Sequence, residues 1–154
     1  MELSNSEDRF SPRVSDFLHK AGWFTGRDVL QSLSLPTNFN LFLKAEEVLK
    51  EFGNLEFGEC ESGIDCATSD VHIDPELGAH FKEELEEYEQ SLKTKLYPLG
   101  EIHRGHAFLV IDEQGRTYLL MDELTPYAPS FSRALEMLLH GKKADPGEIE
   151  KAWE

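Results

Sequence analysis

Residues 105–120, Gly-His-Ala-Phe-Leu-Val-Ile-Asp-Glu-Gln-Gly-Arg-Thr-Tyr-Leu-Leu, decide the fold. This stretch predicts two strands, residues 106–112 and 116–121, joined by a short polar turn. Gly115 stands where a longer hairpin loop needs a residue in the left-handed backbone region. Because residues 107–111 are all apolar, both faces of the first strand are expected to be buried. This strand is therefore expected to lie at the centre of its sheet.

Helical periodicity and end signals predict four helices, each with an apolar stripe that faces a core. Ser11 and Pro12 are typical of a helix start, and Gly22, Gly53 and Gly141 are typical of residues that follow a helix end. The predicted helices span residues 11–22, 38–52, 74–95 and 130–140.

Alternating apolar and polar residues add two strands, at residues 55–57 and 67–73. In the second of these, Thr68, Asp70 and His72 are expected on a solvent-exposed face of the sheet. Helices and strands follow one another without regular βαβ alternation, so the predicted fold class is α+β, built as a single domain.

The chain is strongly acidic. Its 154 residues include 15 Lys and Arg against 30 Asp and Glu, a net charge of −15 at pH 7. Phosphate backbones and anionic lipids repel such a surface, so no direct nucleic-acid partner and no membrane partner is expected. The longest apolar run is residues 107–111, and the first residues lack a signal-peptide pattern. A cytoplasmic protein is therefore predicted.

Most of this charge lies in residues 46–90, which hold fifteen acidic and two basic residues, a net charge of −13. The ordinary interpretation is a solvated surface. Because concentrated like charge destabilises a fold, the alternative is a surface that attracts a basic protein partner. The candidate partner-binding residues lie on or beside the exposed strand face and on the third helix: Glu59, Glu61, Asp65, Asp70, His72, Glu83, Glu86, Glu87 and Glu89. Tyr127 and Phe131 are candidate aromatic anchors, but core packing is the expected role of Phe131.

Enzyme motifs are mostly absent from the sequence, which has no GxSxG, GxxxxGK[ST], GxGxxG or HExxH pattern. His103 and His106 beside Glu101 could belong to a metal or acid–base site, but a spacing of three on an extended segment directs them to opposite faces. Cys60 and Cys66 lack the further close ligands of a zinc site and are expected to be free thiols. The sequence predicts a non-enzymatic protein with no catalytic residues, no metal and no cofactor.

Four segments together carry a family resemblance. They are Ala21-Gly22-Trp23 with Arg27, the junction Ala-Glu-Glu-Val-Leu-Lys-Glu-Phe-Gly-Asn-Leu at residues 45–55, Leu-Tyr-Pro-Leu-Gly-Glu at 96–101 with the hairpin that follows it, and the helix at 130–141. In this order and spacing they resemble the SUKH-3 immunity proteins. Asn54 replaces the second glycine of the junction, and asparagine tolerates the same positive φ.

The resemblance covers residues 11–141 and implies the wider SUKH α+β fold, a mainly antiparallel sheet with helices packed around it. Residues 1–10 are then an N-terminal extension. Residues 142–154 contain Pro146-Gly147 and are expected to form a tail with at most one helical turn. It also implies a bacterial immunity protein that binds a cognate polymorphic toxin, commonly a nuclease or a nucleic-acid deaminase. We expect such a protein to neutralise the toxin by covering its basic active-site surface. Two alternatives stay open: an intracellular regulatory or adaptor module of the SUKH type, and a metal-dependent hydrolase that uses His103 and His106.

Overall fold

Residues 9–154 are described by a computed structural model, and six of their segments form one antiparallel sheet. The strands are β1 (Glu56–Gly58), β2 (Asp70–His72), β3 (Leu96–Ile102), β4 (Ala107–Asp112), β5 (Thr117–Leu120) and β6 (Leu124–Ala128). Each strand pairs with the next one along the chain, so the order across the sheet is β1 to β6. The predicted antiparallel sheet is confirmed, and β4 lies in its interior between β3 and β5.

The helices surround this sheet and complete an α+β domain, as predicted. They are α1 (Pro12–Ala21), α2 (Leu43–Phe52), α3 (Lys82–Leu92), α4 (Phe131–His140) and α5 (Pro146–Ala152), with 3₁₀ segments at Leu30–Ser32, Pro75–Phe81 and His103–Gly105. Ser11 caps α1 and Ser130 caps α4, each by accepting a backbone N–H three residues on. Gly22 and Gly141 follow these two helices in the left-handed conformation. None of the helices within residues 9–154 is long and apolar enough to cross a membrane.

The β4–β5 hairpin has the turn that its sequence predicts. Gly115 has φ 88°, in the left-handed region. Asp112 is fully buried, and its carboxylate accepts the backbone N–H groups of Gln114 and Arg116 at 2.9 and 3.0 Å. The same carboxylate accepts Arg116 Nε at 2.6 Å and the Tyr118 hydroxyl at 2.8 Å. One buried carboxylate therefore holds both ends of the hairpin turn.

The 3₁₀ segment Pro75–Phe81 covers one face of the central strands. The ring of Phe81 lies 4.7 Å from that of Phe108, and Gly78 approaches Pro98 so closely that a Cβ would lie 2.8 Å from its side chain. Since this segment and α3 fold back over the sheet, the solvent-exposed face predicted from β2 is confined to the β1–β2 end.

The opposite face is covered by α1, α2 and α4. Aromatic side chains from these helices and from the residues before α1 form one cluster: Phe52 lies 5.1 Å from Phe131 and 6.2 Å from Phe10, and it stacks on Trp23. The cluster lies beside Ile111 of β4. The core is therefore continuous between the sheet and these three helices.

Helix α2 starts five residues later than predicted, so the expected start at Asn38 is wrong. The rings of Phe39 and Phe42 pack on Tyr97 of β3 at 5.8 and 6.1 Å. Asn38 donates its side-chain amide to the Ala79 carbonyl at 3.1 Å. Burying two aromatic rings on the sheet outweighs one further turn of helix.

The predicted helix at residues 74–95 is also shorter and divided in two. Asp74 is the expected cap, accepting the Glu76 N–H at 3.1 Å, but the first turns are 3₁₀ and the α-helix ends at Leu92. Lys93 then adopts the left-handed conformation with φ 57°. The chain leaves the helix because β3 begins directly afterwards and pairs with β4.

Strands β3 and β6 are not among the strands that the sequence predicts. Pro98 and Gly100 in β3 disfavour a regular strand, and the pairing register with β4 shifts between them, as at a β-bulge. Pro126 is tolerated in β6 because this strand lies at the edge of the sheet, where a missing N–H removes no ladder bond.

The C-terminal segment contains more structure than predicted. Helix α5 spans seven residues and is capped by Asp145, which accepts the Gly147 N–H at 2.8 Å. Trp153 follows it, with its ring 5.3 Å from that of Tyr118 and its indole N–H donated to the Tyr118 hydroxyl at 2.8 Å. The expected limit of one helical turn is wrong because the tail packs on the hairpin.

The expected N-terminal extension, residues 1–10, lies outside the described residues except for Arg9 and Phe10. Phe10 is buried in the core with 2% of its surface exposed. The division of the chain at residues 11 and 141 stays a prediction.

Candidate functional site

The connection from β1 to β2 contains the acidic loop, which we define as residues 59–67. Its backbone is anchored to the end of α4: the N–H of Ile64 donates to the His140 carbonyl at 2.9 Å, and those of Asp65 and Cys66 donate to the Gly141 carbonyl at 2.7 and 3.0 Å. Carbonyls at a helix end lack intrahelical partners, so the loop supplies the missing donors. The two backbones are in direct contact, because a Cβ on Gly141 would lie 2.3 Å from the carbonyl oxygen of Cys66.

Thr68 closes the base of the acidic loop. It is 2% exposed, and its hydroxyl donates to the Glu59 carbonyl at 2.6 Å and accepts the Glu61 N–H at 3.0 Å. The prediction that Thr68 lies on the solvent-exposed strand face is wrong, because the strand begins only at Asp70 and Thr68 satisfies buried loop polar groups instead.

Three candidate partner-binding residues lie in the acidic loop, and all three are exposed. Glu61 forms an ion pair with Arg13 of α1 at 2.9 Å. Asp65 accepts the backbone N–H of Lys143 at 3.1 Å. Glu59 has no partner for its carboxylate among the described residues. Of the three, Glu59 is therefore the one whose charge is not already paired within residues 9–154.

Two further candidates, Asp70 and His72, lie on the open end of the sheet. The Asp70 carboxylate accepts the backbone N–H of Arg104 at 2.9 Å. His72 lies between Glu56 on β1 and Glu101 on β3 in the strand register, and its Nε2 is 3.8 Å from the Glu56 carboxylate. His72 thus lies in a row of acidic side chains, with 29% of its own side chain exposed.

The remaining four candidates lie on α3. Glu83 and Glu87 are exposed, with no partner for their carboxylates among the described residues. Glu86 lies 3.6 Å from Lys82, one turn earlier on the helix. Glu89 accepts the first backbone N–H of β3 at 2.8 Å. Glu89 therefore has a structural use that its sequence position does not reveal.

Two of the candidates lie at opposite ends of β3. Glu89 binds the N–H of Leu96 at the start of this strand, whereas His72 pairs with Glu101 near its end. Five residues of strand separate these positions by about 17 Å. The acidic loop with β2 forms one acidic surface, and the exposed face of α3, whose last turn lies at the far end of β3, forms a second.

Neither candidate aromatic anchor is available to a partner. Tyr127 and Phe131 are 6% and 5% exposed. The Tyr127 hydroxyl donates to the Lys142 carbonyl at 2.9 Å, and burial raises the pKa of this phenol. The candidate anchor role of Tyr127 is therefore wrong, whereas the core packing expected of Phe131 is confirmed.

The segment that contains His103 and His106 is a tight turn and not the extended segment expected. His103 and Arg104 have φ of 49° and 55°, and Gly105 has φ 85°, so three successive residues lie in the left-handed region. His106 Nδ1 lies 2.7 Å from the His103 carbonyl oxygen. Burial lowers the pKa of His103 and favours its neutral form, against the opposing effect of Asp70. Within residues 9–154, no group of three or more His, Cys, Asp and Glu side chains could hold a metal ion.

Two exposed side chains beside the acidic loop were not singled out by sequence reasoning. Ile64 is 67% exposed at the loop surface. Arg104 is exposed and lines the same groove as residues 60–67. The sequence could have indicated that Ile64 is exposed, because it is an isolated apolar residue in a polar loop. The exposure of Arg104, in contrast, depends on the left-handed turn.

Comparison with known proteins decides the family. The sequence model described as SUKH-3 immunity protein matches residues 10–141. The chain belongs to the SUKH-3 immunity protein family. No curated protein and no solved structure matches it. The resemblance carried by the four sequence segments is thereby confirmed, and membership of the SUKH-3 family indicates a role in toxin immunity.

The SUKH-3 match extends from Phe10, in the aromatic cluster, to Gly141 at the end of α4. It contains all six strands and both acidic surfaces. Helix α5 follows the matched residues, so the contact between Trp153 and Tyr118 joins a segment outside the SUKH-3 match to the hairpin inside it.

Proposed function

We propose that this SUKH-3 protein acts in the cytoplasm, where it binds a cognate polymorphic toxin and covers the basic active-site surface of that toxin. The family supports the toxin partner. The electrostatic part of the proposed mechanism is based on the net charge of −13 within residues 46–90. Most of the carboxylates in this segment lie on the surface.

The charge argument points to one class of toxin. Nucleases and nucleic-acid deaminases bind a polyanion, so the surface around their active sites carries Lys and Arg. A protein surface with the charge of a nucleic acid competes for those same residues. Long-range attraction also raises the rate of encounter, which favours rapid neutralisation.

Occlusion requires surface complementarity and no catalytic group, so the proposed protein is an inhibitor and not an enzyme. Among the candidate residues, Glu59, Glu83 and Glu87 can pair with the toxin without breaking a described contact. Glu61 would first have to separate from Arg13, at an exposed ion pair of small net strength.

The test is binding and rescue with the toxin domain encoded beside the gene. We expect the wild-type protein to bind this domain, to restore growth of cells that express it, and to bind more weakly as salt concentration rises. The double variant Glu59→Lys/Glu87→Lys, with one reversal on each acidic surface, should bind about tenfold more weakly at low salt.

The matched control is Glu123→Lys/Glu150→Lys, which changes the net charge equally at two exposed positions outside residues 46–90. If both double variants bind as the wild type does and the affinity does not depend on salt, the electrostatic mechanism is wrong. Absence of binding and rescue by the wild type would refute the toxin partner itself and would favour the adaptor alternative.

A further inference from the structure

We propose that the toxin docks on the acidic loop and the left-handed turn beside it, with Ile64 and Arg104 as the anchors, and that α3 lies outside the energetic centre of the interface. This inference rests on the proposed function and selects one of its two acidic surfaces. Three features support this docking surface: the exposure of Ile64, the absence of a partner for the Arg104 guanidinium among the described residues, and the hydrogen-bonded backbone that presents both residues.

Ile64 is an exposed apolar side chain on a rigid support. It is 67% exposed although its own N–H and those of the next two residues are hydrogen bonded to the end of α4. Cys66 and Ala67 beside it are also exposed, so the apolar surface extends beyond one residue. A backbone held in this way loses little conformational freedom on binding, which favours the side chain it presents as an interface anchor.

Arg104 differs from the other arginines of the chain. The five others each donate to a carboxylate or a backbone carbonyl: Arg9, Arg13, Arg27, Arg116 and Arg133. The guanidinium of Arg104 has no partner among the described residues, in a chain with 30 acidic residues. Arginine is among the residue types enriched at interface anchors, and an unpaired one is available to a partner carboxylate.

The backbone that presents Arg104 is strained. Left-handed φ angles at two successive non-glycine residues are unfavourable and persist only where surrounding contacts impose them. Here the N–H of His103 donates to the Ser69 hydroxyl at 2.9 Å and that of Arg104 donates to the Asp70 carboxylate at 2.9 Å. Such strain is concentrated at functional sites, and here it directs an exposed arginine side chain into solvent.

These contacts also join the turn to the acidic loop. Ser69 and Asp70 follow Thr68 at the base of the loop, and residues 60–67 line one groove together with Arg104. Exposed carboxylates of Glu59, Glu61 and Asp65 surround Ile64 in sequence. The surface therefore fits a toxin site with an apolar pocket for Ile64, a rim of Lys and Arg side chains, and one acidic side chain for Arg104.

The experiment measures the dissociation constant of the neighbouring toxin domain with single variants of the full chain. Ile64→Ser and Arg104→Ala should each weaken binding about 30-fold or more, the size of effect that defines an anchor. Both side chains are exposed, so both variants should keep the wild-type circular dichroism spectrum and unfolding midpoint.

Two matched controls accompany these variants. Leu43→Ser removes an apolar side chain of equal exposure, 65%, at the start of α2, and Lys151→Ala removes an exposed cation on α5. Both should bind within about twofold of the wild type, as expected for substitutions outside the anchors.

The outcomes separate the inference from the proposed function. If the wild type binds the toxin domain and Ile64→Ser and Arg104→Ala bind it with the same affinity, the proposed docking surface is wrong. The proposed toxin partner is then still supported. If only Glu83→Lys/Glu87→Lys loses affinity, the interface lies on α3 and the proposed docking surface is also wrong. If the wild type binds no toxin domain, the proposed function fails and the inference fails with it.

Discussion

The buried carboxylate of Asp112 supports a quantitative prediction about stability. Asp112→Ala removes the acceptor for two backbone N–H groups, for Arg116 Nε at 2.6 Å and for the Tyr118 hydroxyl at 2.8 Å. The Arg116 side chain is only 18% exposed, so the variant leaves a largely buried cation without its counter-ion.

Removing one partner of a buried ion pair destabilises a protein by about 3–5 kcal/mol, and the lost hydrogen bonds are part of that figure. We therefore expect the free energy of unfolding to fall by about 4 kcal/mol and the melting temperature by about 12 °C. Asp112→Asn keeps one acceptor oxygen for the backbone N–H groups but also leaves Arg116 without its counter-ion, so it should lose nearly as much.

Urea unfolding followed by circular dichroism measures this loss, with the slope against urea compared between variants. Asp122→Ala is the control: it removes an exposed carboxylate two residues after β5 and should change the free energy of unfolding by less than about 0.5 kcal/mol. A loss below about 1 kcal/mol in Asp112→Ala would refute the reasoning that this carboxylate holds the hairpin turn.

Two further predictions concern aromatic side chains. Trp153→Ala should lower the free energy of unfolding by about 2 kcal/mol, because the indole packs on Tyr118 and donates to its hydroxyl, and urea unfolding that matches the wild type would show that α5 does not stabilise the hairpin. Alkaline pH should destabilise the fold: burial raises the pKa of Tyr97 to about 12 and also raises the pKa values of Tyr118 and Tyr127. The stability linked to these neutral phenols is complete below about pH 10, where tyrosine ionises in the unfolded chain, and is lost as the pH rises toward 12. Tyrosinate absorbance should therefore appear together with unfolding above pH 10, and full ionisation of these tyrosines in the folded protein at pH 10 would contradict the reasoning.

Capping residues and turn residues in the sequence predicted the helices and turns whose ends depend only on neighbouring residues. Ser11 and Ser130 cap their helices, Gly115 and Gly141 adopt left-handed conformations, and Asn54 does so at φ 66°, each as its residue type favours. The elements that were missed depend on distant partners. Strand β3 exists because it pairs with β2 and β4, although Pro98 and Gly100 disfavour it locally.

The candidate site likewise combines features that the sequence predicts with features that depend on contacts between distant residues. Counting charges identified the acidic residues but could not show that Glu89 binds the backbone of β3 or that Tyr127 is buried. Arg104 was missed because its exposure follows from hydrogen bonds to Ser69 and Asp70, more than thirty residues earlier in the chain.

The α+β class, the central hairpin, the family resemblance and the concentration of acidic charge in one third of the chain can all be read from the amino-acid sequence. These depend on composition, periodicity and capping, which act over at most a few turns of helix or one hairpin. Three further features required the folded chain: the placement of the acidic residues on two surfaces, the packing of α5 on the hairpin, and the left-handed turn at residues 103–105. Each of these results from contacts between residues far apart in sequence, because burial and strand pairing outweigh local preference once the chain is folded.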